Sequence, residues 1–260
     1  VIGNLQFLLS NRNIICVFCV GIVSYFSGCN SNSELKPGIC VSFDDRTIRE
    51  WKELSPLFDR YGAKVTFFVT QFDSLDEEEI SILEELKAKG HEIGSHGAMH
   101  VISEHYIQEH GYRKYLENEI DQSVSSMEKQ GLKPTSFAYP YGAKYWFTDY
   151  LLLKRFKVVR GVAVMPTNAD IATVDDIYLS RRDNDVSALG FDHGMNLKPD
   201  DLKRAFDRAC VNNEVVMLYG HSPSSDSSDA YTFDLKFLEE MLRMGQERKL
   251  RYYLVSELSE

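Results

Sequence analysis

From Pro37 onward, this 260-residue chain alternates short β-branched or aromatic runs with segments of helical spacing. That alternation restricts the fold, because strand–helix–strand units bury a mostly parallel sheet beneath their helices. Residues 38–43, 64–70, 91–95, 136–139, 157–164, 177–180, 214–219 and 251–255 read as strands. Between them, 47–61, 77–89, 112–129, 145–156, 199–209 and 233–247 read as helices. Ile48, Trp51, Leu54 and Leu57 mark the buried face of the first helix, within which Pro56 is a potential break. About seven to eight strands suit an open doubly wound sheet or a closed (β/α) barrel. No G-x-G-x-x-G follows the first strand, so nothing calls for a dinucleotide.

The net charge of −10 argues against nucleic acid or an anionic membrane surface as the main ligand, since neither gains from an acidic partner. A neutral substrate fits better. The N-terminal segment has a separate character. Arg12 precedes an apolar run from Ile14 to Phe26, too short to span a bilayer comfortably, and Ser27-Gly28-Cys29 follows. This pattern predicts a lipoprotein signal peptide over 1–28, lipidation of Cys29 and a polar tether over 29–36. The domain then occupies 37–260. The expected product is an exported bacterial lipoprotein, membrane-anchored on the periplasmic or cell-surface side. Cys40 and Cys210 fall in apolar stretches; a disulfide between them and two buried thiols are equally compatible with the sequence.

Unusual polar residues stand where the strands end, the place at which barrel active sites assemble. The first strand runs into Asp44-Asp45, two carboxylates that neighbouring strand positions turn to opposite faces. The pair suits a metal ligand beside a free base, or simply a helix cap ahead of Thr47. His96 and His100 stand at i and i+4, a spacing that brings two imidazoles together on one helical face. Tyr139-Pro140-Tyr141-Gly142 closes another strand with a stiff aromatic turn. Leu218-Tyr219-Gly220-His221 leaves a histidine after an apolar strand.

Taken in order, these four pieces resemble the motifs of the polysaccharide deacetylase family, also called the NodB-homology or carbohydrate esterase family 4 group. The resemblance implies a distorted (β/α) barrel and a divalent metal, usually zinc, held by Asp45, His96 and His100. It implies Asp44 as the general base, His221 as the general acid, and Tyr139, Pro140, Tyr141 and Leu218 against the substrate. The backbone N–H of Tyr141 would face the oxyanion. Two departures stand out. Ala138 occupies the place of the arginine that orients the base in that family, and the usual tryptophan of the fourth motif is missing, since no tryptophan follows Trp146. Arg181 and Arg182, after the strand over 177–180, are the candidates to supply the missing cation.

The implied activity is metal-dependent hydrolysis of acetyl groups, N-acetyl ahead of O-acetyl, on a carbohydrate. The alternatives are a lipid-anchored carbohydrate-binding protein with a degenerate centre, and an amidohydrolase of the same architecture acting on a small non-sugar amide. Retention of both the implied base and the implied acid favours the enzyme over the binding protein.

Overall fold

The computed structural model describes residues 35–145 and 147–259. The predicted signal peptide, Cys29 and most of the predicted tether lie outside the described residues. Leu35, expected in the tether, is buried, and the Lys36 backbone N–H donates to Tyr253 Oη at 3.0 Å.

Seven parallel strands form a closed barrel: β1 (Gly38–Asp45), β2 (Thr66–Val69), β3 (Glu92–Ser95), β4 (Ser136–Ala138), β5 (Val158–Val162), β7 (Asp185–Gly190) and β8 (Val215–Gly220). Closure comes from pairing of β1 with β8, in register from Gly38↔Val215 to Phe43↔Gly220. On its other edge β1 pairs with β2 over Ser42–Asp45, while β11 (Arg251–Tyr253) takes the lower part, Gly38–Cys40. The short β6 (Tyr178–Leu179) runs antiparallel to β8 outside the ring, Leu179 opposite Val215. Residues 185–190, which are not among the expected strands, are thus a barrel strand, and 177–180, expected as a strand of the alternation, is a two-residue edge. The apolar run of β7 is short and interrupted by Ser187, which hides its period.

Alternation along the strands sorts the core into two layers. Cys40, Phe68, Ala138, Val158, Ala188 and Met217 share a cluster in the lumen. Val41, Phe43, Phe67 and Leu218 face outward against α1 (Ile48–Tyr61), α2 (Glu77–Ala88), α6 (Pro199–Asn212) and α7 (Leu235–Glu247), meeting Leu54, Phe58, Ile82, Phe206 and Leu238. Pro56 does not divide α1, which runs unbroken. The predicted helix over 112–129 is less regular: α3 (Ser103–Tyr115) kinks at Gly111, where φ is 80°, then passes through a π-helical stretch, Leu116–Asp121, into α4 (Gln122–Lys129). The predicted helix over 145–156 shrinks to α5 (Thr148–Leu152). Cys40 and Cys210 are both free thiols.

Candidate active site

A pocket of about 480 Å³ opens at the C-terminal mouth of the barrel, lined among others by Asp44, Asp45, His96, His100, Tyr141 and His221. Six of the predicted residues, from four separate stretches of the sequence, therefore converge on one cavity. Strand order explains it: β1, β3 and β8 end at the same level, so the residues after them share one rim.

Asp45 Oδ1 lies 3.1 Å from His100 Nε2 and 3.5 Å from His96 Nε2. One ligand atom from each of Asp45, His96 and His100 falls within 4.8 Å of the others. Burial works against the Asp45 charge, but hydrogen bonds to His100 and His96 hold its carboxyl well below the usual carboxylate range. His96 is buried, and its Nδ1 sits 2.9 Å from the Ala138 carbonyl. That oxygen can only accept, so Nδ1 carries a proton; Nε2 donates to Asp45 when the ring is protonated and is a free ligand nitrogen when the ring is neutral. Two imidazoles so oriented beside one carboxylate are a donor set that fits a divalent cation.

The i, i+4 histidines do not share a helix. Residues 96–100 form a loop in which Gly97 has φ of 82° and His100 φ of 59°. Glu119, buried in the π-helical stretch, shapes that loop. Its carboxylate accepts from the backbone N–H groups of Met99 at 2.6 Å and Val101 at 3.2 Å. A Cβ at position 97 would come within 2.0 Å of Glu119 Oε1, so only glycine lets the two approach. Burial raises the Glu119 pKa, tempered by those two donors. Asp45 and Tyr141, like His100, take left-handed backbone conformations, with φ of 82° and 58°. Strain of this kind, about 1–3 kcal/mol per residue, persists only where surrounding structure enforces it and concentrates at functional sites.

Asp44 faces the lumen and is 3% exposed; its Oδ2 pairs with Arg160 of β5. Its other oxygen, Oδ1, is buried without a hydrogen-bonding partner among the described residues, and so are Ser42 Oγ and Arg160 Nε. The Arg160 guanidinium is itself fully buried, 4.7 Å from the ring centre of Tyr219 and 5.4 Å from that of Phe68. Arg160, not Arg181 or Arg182, is therefore the cation beside Asp44. Arg181 is exposed, and Arg182 donates to the carbonyls of Glu257 and Ser259. Both follow β6, whose Leu179 pairs with the first residue of β8, whereas His221 follows its last. They stand at the opposite end of the barrel from the pocket.

His221 Nδ1 contacts Asp192 Oδ2 at 2.7 Å, and Asp192 Oδ1 accepts the His221 backbone N–H at 3.1 Å. Burial opposes a positive charge on His221, but the Asp192 hydrogen bond and the carboxylates of Asp44 and Asp45 raise its pKa above the ordinary imidazole value. Asp192 had a faint sequence signal: it follows the apolar residues 188–191, as Asp44 follows its own strand.

Other predicted contacts fall elsewhere. Leu218 points out of the barrel into the helix layer, and its neighbour Tyr219 lines the pocket instead. Tyr139 is fully buried with Ile107, Tyr115 and Phe137, its hydroxyl donating to Asp149 at 2.6 Å. Pro140 is buried at the start of the turn. Within that motif Tyr141 and Gly142 line the pocket.

The family model described as polysaccharide deacetylase matches residues 31–155, a span holding Asp44, Asp45, His96, His100 and Tyr141. This part of the chain matches the polysaccharide deacetylase family. Solved structures of similar fold include peptidoglycan deacetylase PdaC from Bacillus subtilis, at 17% identity and TM-score 0.54, covering 87% of this chain and 91% of that one. The Xyl-CE4 domain of a multidomain xylanase from the hindgut metagenome of Trinervitermes trinervoides aligns at 16% identity and TM-score 0.54, covering 85% and 88%. The catalytic domain of peptidoglycan N-acetylglucosamine deacetylase from Eubacterium rectale aligns at 16% and 0.52, covering 86% and 91%. No curated protein sequence matches the chain. Family and fold together indicate a polysaccharide deacetylase, and the Asp45, His96 and His100 cluster is a possible metal site within it.

Proposed function

We propose that this polysaccharide deacetylase is a metal-dependent hydrolase that removes N-acetyl groups from a glycan. The observation that carries the reading is the division of labour between adjacent aspartates. Asp45 joins two imidazoles, while Asp44 leaves one buried oxygen free beside a pocket. Asp45, His96 and His100 would hold the cation, and the mixed nitrogen and oxygen donors favour zinc. When bound, a divalent metal polarises the acetyl carbonyl and makes water a better acid.

The protein's own groups do the rest. Asp44 Oδ1 takes a proton from the attacking water, with Oδ2 held on Arg160 so that the free oxygen stays in place. The backbone N–H of Tyr141 faces the developing oxyanion. His221 Nε2 gives a proton to the departing nitrogen, while Asp192 holds Nδ1 and the imidazole orientation. An amide needs that proton more than an ester does, because an amide anion is a very poor leaving group, and the Asp192 hydrogen bond favours the protonated His221 imidazole. Acetate released from chitin or peptidoglycan oligomers by metal-loaded protein, and lost in Asp44→Asn, tests the assignment; release from xylan oligomers alone would make the substrate an O-acetyl ester. Release from none of the three would end it.

The lipobox-like Phe26-Ser27-Gly28-Cys29 supports export and a lipid anchor on Cys29 as a further part of this reading. Metabolic labelling with a radioactive fatty acid checks it, the label disappearing in Cys29→Ser.

A further inference from the structure

Tyr231 is 70% exposed, yet its position is closely fixed. The loop that bears it leaves the barrel at His221 through β9 (Ser222–Pro223) and returns through β10 (Thr232–Phe233), the two pairing in parallel. The Ser224 N–H donates to the Phe233 carbonyl at 2.8 Å, and Thr232 Oγ1 donates to the Asp229 carbonyl at 3.0 Å. On one side of Tyr231, the Ala230 carbonyl accepts from the Gly194 N–H at 3.0 Å. On the other, Phe233 is buried among Phe43 and Phe191. The Tyr231 N–H itself donates to Asp229 Oδ1 at 2.9 Å.

The ring held by this frame stands edge-on to the His221 imidazole, centroids 5.6 Å apart and planes at 88°, and it lines the pocket rim. A rigidly placed aromatic face turned mostly to water is available for contact at little further entropic cost. Pyranose rings offer a matching surface, a flat array of C–H groups rimmed by hydroxyls. Tyr231 lines the pocket beside His221 while 70% of its surface stays open to solvent, so a sugar covering that open surface adjoins the one held over Asp44, Asp45 and His221.

We infer that Tyr231 is a specificity-determining platform that stacks on a pyranose adjoining the one being deacetylated, on the side of the proton donor His221, and so selects chains over single sugars. This rests on the deacetylase reading above. The test uses the metal-loaded full chain, with N-acetylated chitotetraose, a peptidoglycan tetrasaccharide and acetylated xylotetraose as probes and acetate release as the readout. On whichever tetrasaccharide the wild type turns over, Tyr231→Ala should raise KM about five- to tenfold with kcat changed by less than about twofold, the size of effect expected for one stacked aromatic contact. Tyr231→Phe keeps the ring without the hydroxyl and should retain the wild-type KM. Wild-type KM in Tyr231→Ala, or a rise in KM as large in Tyr231→Phe as in the alanine variant, overturns the platform while leaving the deacetylase intact. Acetate release from none of the three tetrasaccharides by the wild type overturns both.

Discussion

Arg160 reaches through the barrel lumen from β5 to the Asp44 carboxylate on β1, and its register partner on β4 is Ala138. The family resemblance places an arginine at Ala138, so the cation stands one strand over. Two neighbouring lumen positions can deliver a guanidinium to the same carboxylate, because Arg is long and both strands present residues of the same parity inward.

Removing that cation leaves a buried carboxylate without its partner. Arg160→Ala should lower the free energy of unfolding by about 3–5 kcal/mol, read from urea melts, and should sharply reduce acetate release. Ala138→Arg in the same background restores a cation from the next strand and should recover part of both. An Arg160→Ala enzyme with wild-type turnover would show that Asp44 does not depend on it.

The pair of Asp192 and His221 governs the alkaline side of the pH profile. His221 must be protonated to act as acid, so kcat/KM falls as pH rises through its pKa. That pKa is raised despite burial, with the Asp192 hydrogen bond the largest favourable cause. Asp192→Asn should therefore shift the descending limb to lower pH and depress turnover most at alkaline pH. A descending limb unmoved in Asp192→Asn would remove His221 from the acid role.

Glu119 touches none of the proposed ligands directly but holds the loop that presents His100. Outer supports of this kind typically change metal affinity by about 10–100-fold when lost. Glu119→Gln should weaken zinc binding by about tenfold in competition with a chromogenic chelator, whereas Asp45→Ala should abolish zinc-induced thermal stabilisation. Equal zinc affinity in Glu119→Gln and wild type would confine Glu119 to the fold.

Stability should also carry a pH signature remote from the site. His91 is 3% exposed, with Phe58 and Phe67 rings at 5.3 and 5.6 Å, and its Nδ1 accepts the Val65 N–H at 3.2 Å. Burial, with Lys64 nearby, pulls its pKa from 6.5 down to about 4. As pH falls, the unfolded chain takes up the proton first, so stability is complete above pH 6.5 and is lost progressively toward pH 4. The loss from this residue approaches about 3 kcal/mol. His91→Gln keeps an acceptor for Val65 but does not titrate, and its unfolding free energy should fall less steeply across that window. Identical slopes would exclude His91 as the source.

Much of the site was legible because it lies at the ends of strands whose apolar runs are themselves visible. Asp44-Asp45, His96 with His100, Tyr141 and His221 each follow such a run, and the parallel order of the strands carries them to one rim. Arg160 was hidden for the opposite reason. It lies inside the strand over 158–162, where a charged residue gives no sign of whether it faces lumen or solvent. Leu218 and Tyr139 were misplaced by the same ambiguity of facing, which is a matter of single-residue register.

The chain's own order of residues determined that strands and helices would alternate, that a barrel could close, and which side chains would stand at its C-terminal mouth, because periodicity and strand termini are local properties. Tertiary structure alone decided that Arg160 rather than Arg181 or Arg182 meets Asp44, that Asp192 holds His221, and that Glu119 bends the His100 loop. Those choices depend on distances across the lumen and between separate loops. Such distances are set by strand register and side-chain facing, which no local pattern encodes.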